Sequence, residues 1–176
     1  MWAERRNDER PHVEFLTDRR LAAGIAAAVG QGFALTIIDT PSAAGPQALT
    51  AAQASDLVLI PCRPSLVDLD AIRRTAQLVK SVGITAYVVF NAATPGATTL
   101  IDDARAVVSD SGLTTAPIVL RERGAYRAAW PQGRGVVETE PNGKAAAEIS
   151  ELMEWILLEV QLCTPLARLI HETVGN

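Results

Sequence analysis

The chain has 176 residues, 48% of them hydrophobic, 20% charged and only 5% aromatic, with a formal net charge of −4 and a pI near 5.2. That length supports one domain with a sizeable core, and the composition is that of an Ala/Val/Leu/Ile-rich α/β protein. An acidic balance excludes a surface that is basic throughout, although a local basic patch is compatible with it.

The N-terminal residues 1–11 carry mixed charge and end at Pro11, which predicts an exposed lead-in with Trp2 as its one bulky apolar residue. They contain no apolar signal core, and no stretch approaches the length of a membrane span, so a cytoplasmic protein without membrane contact is expected. Val13 and Phe15 alternate with polar neighbours as in a short edge strand. Thr17 with Asp18 then opens a helix whose stripe is Leu21, Ile25 and Val29, ending at Gly30.

The run Phe33 to Ile38 is uncharged and ends in Asp39-Thr40-Pro41. It reads as a strand buried on both faces that delivers a carboxylate to the C-terminal edge of a sheet, where ligands of open α/β sheets sit. Two roles fit Asp39: capping the turn after the strand, or holding the water shell of Mg²⁺ as in P-loop NTPases. A loop at 42–45 leads to a short helix from Pro46 through Ala54. Leu57 to Ile60 is a second buried strand closed by Pro61. Ser65 and Asp68 make a capping box for a helix with Leu69, Ile72, Ala76 and Val79 on one face, ended by Gly83.

Ala86 to Phe90 is a third strand, tipped by Asn91. Thr98 or Thr99 opens a helix carrying Leu100, Ile101, Ala104, Val107 and Val108 to Gly112, and Ala116 to Leu120 is a fourth strand. Strands alternating with helices through tight connections predict a parallel, doubly wound sheet. From Asn142 a final helix carries Ile149, Leu152, Met153, Ile156 and Val160 on one side, with Glu148, Glu151, Glu154 and Glu159 on the other. Residues 161–176 read as a helical tail.

Between these elements, Arg121, Arg123, Arg127 and Arg134 stand against Glu122 alone, a local excess of three positive charges interleaved with Tyr126 and Trp130. A solvated helix over the sheet edge and a DNA contact through Arg121, Arg123 and Arg127 both fit. Cys62 and Cys163 lie in apolar contexts without metal-ligand spacing, and His12 and His171 stand far apart, so neither a zinc site nor a His-based triad is expected.

FALTIIDTPS, ALTAAQASDLVLIPCRPSLVDLDAI, YVVFNAA and LRERGAYRAAWPQGRGVVETEPNGKAAAEISEL occur in that order over about residues 12–158. Together they resemble the ParA/MinD family of deviant-Walker P-loop ATPases, most closely its short plasmid-partition members. Trp2 with Arg5 and Arg6 is similar to a tryptophan–arginine stretch of these ATPases. The resemblance implies a P-loop NTPase-type sheet over residues 1–160, ATP and Mg²⁺ as cofactors, a ParB-like centromere-binding adaptor and nonspecific DNA as partners, and self-association.

By the same resemblance Asp39 matches the Walker B aspartate that holds Mg²⁺, Thr40 and Pro41 complete its turn, the loop from Ser42 matches a nucleotide-sensing switch, and Asn91 matches a residue that reads the adenine edge. Asn91 as a plain strand-end cap fits equally well. The family's KGGxGKT phosphate loop and its flanking strands have no counterpart. Gly143-Lys144 is the only Gly-Lys pair, and no strand precedes it. The expectation is therefore a ParA-like domain shortened at its N-terminus, binding MgATP weakly, or a catalytically silent interaction module. A MinD-type membrane-recruited regulator ranks last, since residues 161–176 carry only Arg168 and His171 as basic groups.

Overall fold

The computed structural model describes residues 2–41 and 45–163. Three strands form its sheet: β1 (Val58–Cys62), β2 (Ala86–Phe90) and β3 (Thr114–Thr115), all parallel and in the order β1-β2-β3. Val58 stands opposite Ala86 and Cys62 opposite Phe90. The crossovers are α3 (Leu66–Val82) and α4 (Thr98–Asp110), so the unit is a pair of βαβ turns.

Strand alternation divides the core into two faces. Ile60, Cys62, Val88 and Phe90 meet Leu69, Ile72, Ala76 and Val79 of α3 and Ile101, Ala104 and Val108 of α4. Val89 and Ala116 point the other way, onto Leu152, Trp155 and Ile156 of α7 (Lys144–Cys163). Helices therefore cover both faces, the three-layer α/β arrangement that the alternating pattern requires. A third cluster joins α5 (Gly124–Ala129), α6 (Val136–Thr139) and the start of α7 through Ala129, Val136 and Ala145.

Helix α3 follows its local signals closely. The Asp68 amide donates to Ser65 Oγ at 3.3 Å, the Ser65 hydroxyl donates to Asp68 Oδ2 at 2.6 Å, and Gly83 ends the helix at φ 72°. Helix α4 opens at Thr98, as expected, with Ala97 before it as the cap and no side-chain bond there. Leu100 is exposed, and the inward face is Ile101, Ala104 and Val108.

Strand β1 continues through Pro61 to Cys62 instead of stopping before it. Val58 N–H donates to Thr85 O and Cys62 O accepts from Asn91 N–H, so residues 58, 60 and 62 face β2. Pro61 thus faces the outer edge, where its missing N–H breaks no ladder bond. The strand expected at Ala116 to Leu120 is not there: the third strand is the two residues Thr114–Thr115 just before it. Ala116 N–H donates to Val88 O and Leu120 N–H to Phe90 O, so four residues on this side span two on β2. Pro117, which has no N–H, sits in the resulting bulge.

The stretch expected as a buried strand from Phe33 to Asp39 is not one. It is unpaired among the described residues, with Phe33 44%, Leu35 37% and Ile37 76% exposed. Among the described residues its one backbone bond, Phe33 N–H to Ala28 O, belongs to the exit from α1 (Asp18–Gly30). Residues 12–16 form no strand either. An apolar run specifies a need for burial, but a strand also needs a neighbouring edge to bond, and the sheet of described residues ends at β1. Helix α1 forms where expected yet buries no residue fully, and Val29 lies 70% exposed. Its inner side is Leu21, Gly24, Ile25 and Ala28, with Leu16 lying so close to Gly24 that a Cβ there would come within 2.3 Å of it. The helix packs on α2 (Pro46–Gln53).

Candidate functional site

The C-terminal ends of the strands bring together Cys62 to Ser65 after β1, Asn91 to Thr94 after β2, and Leu120 to Arg121 beyond the bulge. Asn91 is fixed here: its N–H donates to Cys62 O at 2.8 Å, and its Oδ1 accepts from the Ala92 N–H at 2.7 Å. That local bond accompanies a left-handed backbone at Ala92, φ 50°, in a residue other than glycine. The Asn91 side chain is exposed and its Nδ2 group makes no hydrogen bond among the described residues, so a donor remains at the sheet edge. Ala93 then bonds across to Leu120 O and Glu122 N–H, closing the edge.

Asp39, Thr40 and Pro41 are exposed and lie in the unpaired segment, so no strand carries them to the edge on which Asn91 stands. No hydrogen bond or ion pair reaches the Asp39 carboxylate among the described residues. The switch-loop assignment from Ser42 falls on residues 42–44, outside the described ones. One exposed carboxylate and one hydroxyl do not make the ligand set of MgATP, which needs converging backbone N–H groups and a lysine for the phosphates. The described residues therefore do not fit that cofactor by themselves. Cys62 is a buried free thiol whose pKa burial pushes up to about 11, with Asp68 adding to the rise, which makes it an inert core side chain.

The arginine segment is more neutral than its sequence suggests. Arg123 Nε lies 3.2 Å from both Glu148 oxygens, and Glu148 Oε2 also accepts the Arg121 N–H at 3.1 Å. These side chains are only 22% and 15% exposed, and the hydrogen bond to Glu148 raises the pKa of Arg123. Glu148 therefore belongs to the inner side of α7 and not to its polar face. Glu159 also turns inward, accepting the Tyr87 hydroxyl at 2.7 Å beside the edge-on contact of Tyr87 with Trp155. Arg127 pairs with Glu122 at 3.3 Å in solvent, and Arg121 Nη1 reaches Thr94 O at 3.4 Å. Trp130 is 56% exposed; Tyr126 is half-buried, and burial raises the pKa of its hydroxyl, which has no hydrogen-bond partner among the described residues.

Most of the N-terminal lead-in is exposed, as expected, but Trp2 and Arg6 dock it against the segment 133–138. Arg6 forms a bidentate pair with Glu138 at 2.7 and 2.9 Å, with its side chain 9% exposed. The Arg6 hydrogen bond and the Gly135 N–H together hold the Glu138 carboxyl near pKa 2. No spacing rule links positions 132 residues apart, so only the tertiary structure reveals this pair.

Two open grooves of about 410 and 490 Å³ lie elsewhere, one beside Lys80, Ala86 and Gly112 at the opposite end of the strands, the other between Arg6, His12 and Phe33. Neither contains Asp39 or Asn91. Among the described residues no helix is long and apolar enough to cross a membrane, and no three His, Cys, Asp or Glu side chains converge as metal ligands would. No protein-family model matches the chain, and no curated protein matches it either.

Proposed function

We propose that this chain is a ParA-like partition protein of the P-loop NTPase type, acting as an interaction module and not as a self-sufficient ATPase. The observation that carries the reading is Asn91 on the C-terminal edge of a parallel α/β sheet, exposed and with a free amide donor, at the position that the family resemblance gives to the adenine-reading residue. The order of the resembling motifs supports it further. In this reading the adaptor is a ParB-like centromere-binding protein, and Arg121 and Arg127 meet nonspecific DNA, while Arg123 pairs with Glu148, which also accepts the Arg121 N–H.

The phosphate cradle has no counterpart in these residues, and Asp39 is off the sheet, so ATP and Mg²⁺ would require residues from outside this sequence. The outer edge of β1, unpaired among the described residues, supports self-association. Titration with random duplex DNA tests the reading. Binding should weaken as salt rises, independently of base sequence, with a shallower slope when Arg121 and Arg127 are replaced by Ala. Absence of binding at low salt would remove the DNA-contact part. Calorimetry should find no tight MgATP binding; tight binding abolished by Asp39→Ala would instead give the chain a nucleotide and metal site of its own.

A further inference from the structure

We propose that residues 2–6 form a releasable clasp that holds the segment 133–138, Arg134 included. Three kinds of contact converge on that segment. Gly133 has a left-handed backbone, φ 62°, and a Cβ there would lie 2.6 Å from Arg5 C and Arg6 N, so the two backbones touch through a notch that only glycine leaves open. Arg6 Nη1 donates to Gly133 O at 2.9 Å while the same guanidinium grips Glu138, and its Nε donates to Arg10 O. Trp2 Nε1 donates to Arg134 O at 3.3 Å, and the Arg6 guanidinium lies 5.1 Å from the Trp2 ring centre.

Glu138 serves both sides of this joint. It accepts the Gly135 N–H at 2.7 Å, capping the start of α6, and its two oxygens accept from Arg6. The cap of α6 and the dock of the N-terminal strap thus depend on one carboxylate. The strap contributes no buried residue in its 3₁₀ turn Ala3–Arg5. A joint made of fork geometry and a backbone notch is specific in register, and a strap whose 3₁₀ turn buries no residue has the character of a segment that opens locally. Residues 7–15 beyond it are exposed, with His12 in a tilted ring contact with Phe33 at 5.8 Å between centres.

The test is reciprocal: a change at one end of the clasp should loosen the other. Arg6→Ala, which alters no atom of the segment itself, should speed amide hydrogen exchange across residues 133–140 about tenfold or more, while β2 amides stay as slow as before. Arg6→Lys, which keeps the charge but loses the fork, should lie between wild type and Arg6→Ala. Gly133→Ala should make trypsin cleave after Arg5 about tenfold faster than in the wild-type chain. Unchanged exchange at 133–140 in Arg6→Ala would overturn the clasp. So would an unchanged rate of cleavage after Arg5 in a folded Gly133→Ala chain; if that variant does not fold, the exchange result for Arg6→Ala decides alone.

Discussion

Two apolar runs of this chain, Phe33 to Ile38 and Val58 to Cys62, are similar in length and lack of charge, yet only the second is a sheet strand. The difference lies outside both. Val58 to Cys62 has β2 along one side and α3 across one face, so its backbone groups and side chains are satisfied together. Phe33 to Ile38 has neither, and Phe33, Leu35 and Ile37 stay exposed. Apolar pattern states what a segment must bury; pairing decides whether it can.

The sharpest way to break this comparison is at the two centres. Phe90→Ala, at a fully buried position, should cost about 3–5 kcal/mol in chemical denaturation, whereas Phe33→Ala should cost less than about 0.5 kcal/mol. Equal losses would mean that the first run is paired in solution. Next in size, Ile156→Asp places a charge against Val89 and Leu152 and should destabilise by about 2–3 kcal/mol, while Glu154→Lys on the exposed side of α7 should change little. Damage of the same size from both would put the wrong face of α7 against the sheet. Ser65→Ala removes the α3 cap and should cost about 1 kcal/mol, with Ser65→Gly milder.

The smallest effect is expected from protons. The Glu138 carboxyl is held near pKa 2, below its ordinary 4.5, by Arg6 and Gly135. A depressed carboxylate contributes stability that is present in full above its unfolded-state value and is lost as pH falls through the folded one. Protection of residues 133–138 should therefore be flat above about pH 5 and fall away between there and pH 2. In Arg6→Ala that acid dependence should shrink, and an identical pH profile in the two chains would mean that another carboxylate governs it.

What could be read without the structure was what is local. Ser65 and Asp68, the buried stripe Leu69, Ile72, Ala76 and Val79, and Gly83 all act within a few residues of one another, and α3 carries each as expected. Strand β2 was equally legible, because three successive buried positions, Val88 to Phe90, demand cover on both faces. The boundary of β3 was not, because Pro117 bulges the chain only in relation to its neighbour's carbonyls. Glu148 looked like one of a row of surface glutamates, since helical spacing ranks side chains by face and cannot foresee an arginine arriving from α5's leading residue. At the candidate site, Asn91 was placed correctly at the end of β2, whereas Asp39 inherited its expected position from a strand that does not pair.

Pro61 bears on how such chains can accumulate. A residue in a parallel ladder turns its N–H and C=O to the same neighbour, and Pro61 turns towards the open side of β1 with only a carbonyl to offer. At the far side of the sheet, β3 is two residues long and is followed by a bulge. Endless stacking of sheets needs two good borders on every copy. This one has a single border of useful length, with one donor missing, so copies meeting there would stop at a small closed assembly and would be poor seeds for a fibre.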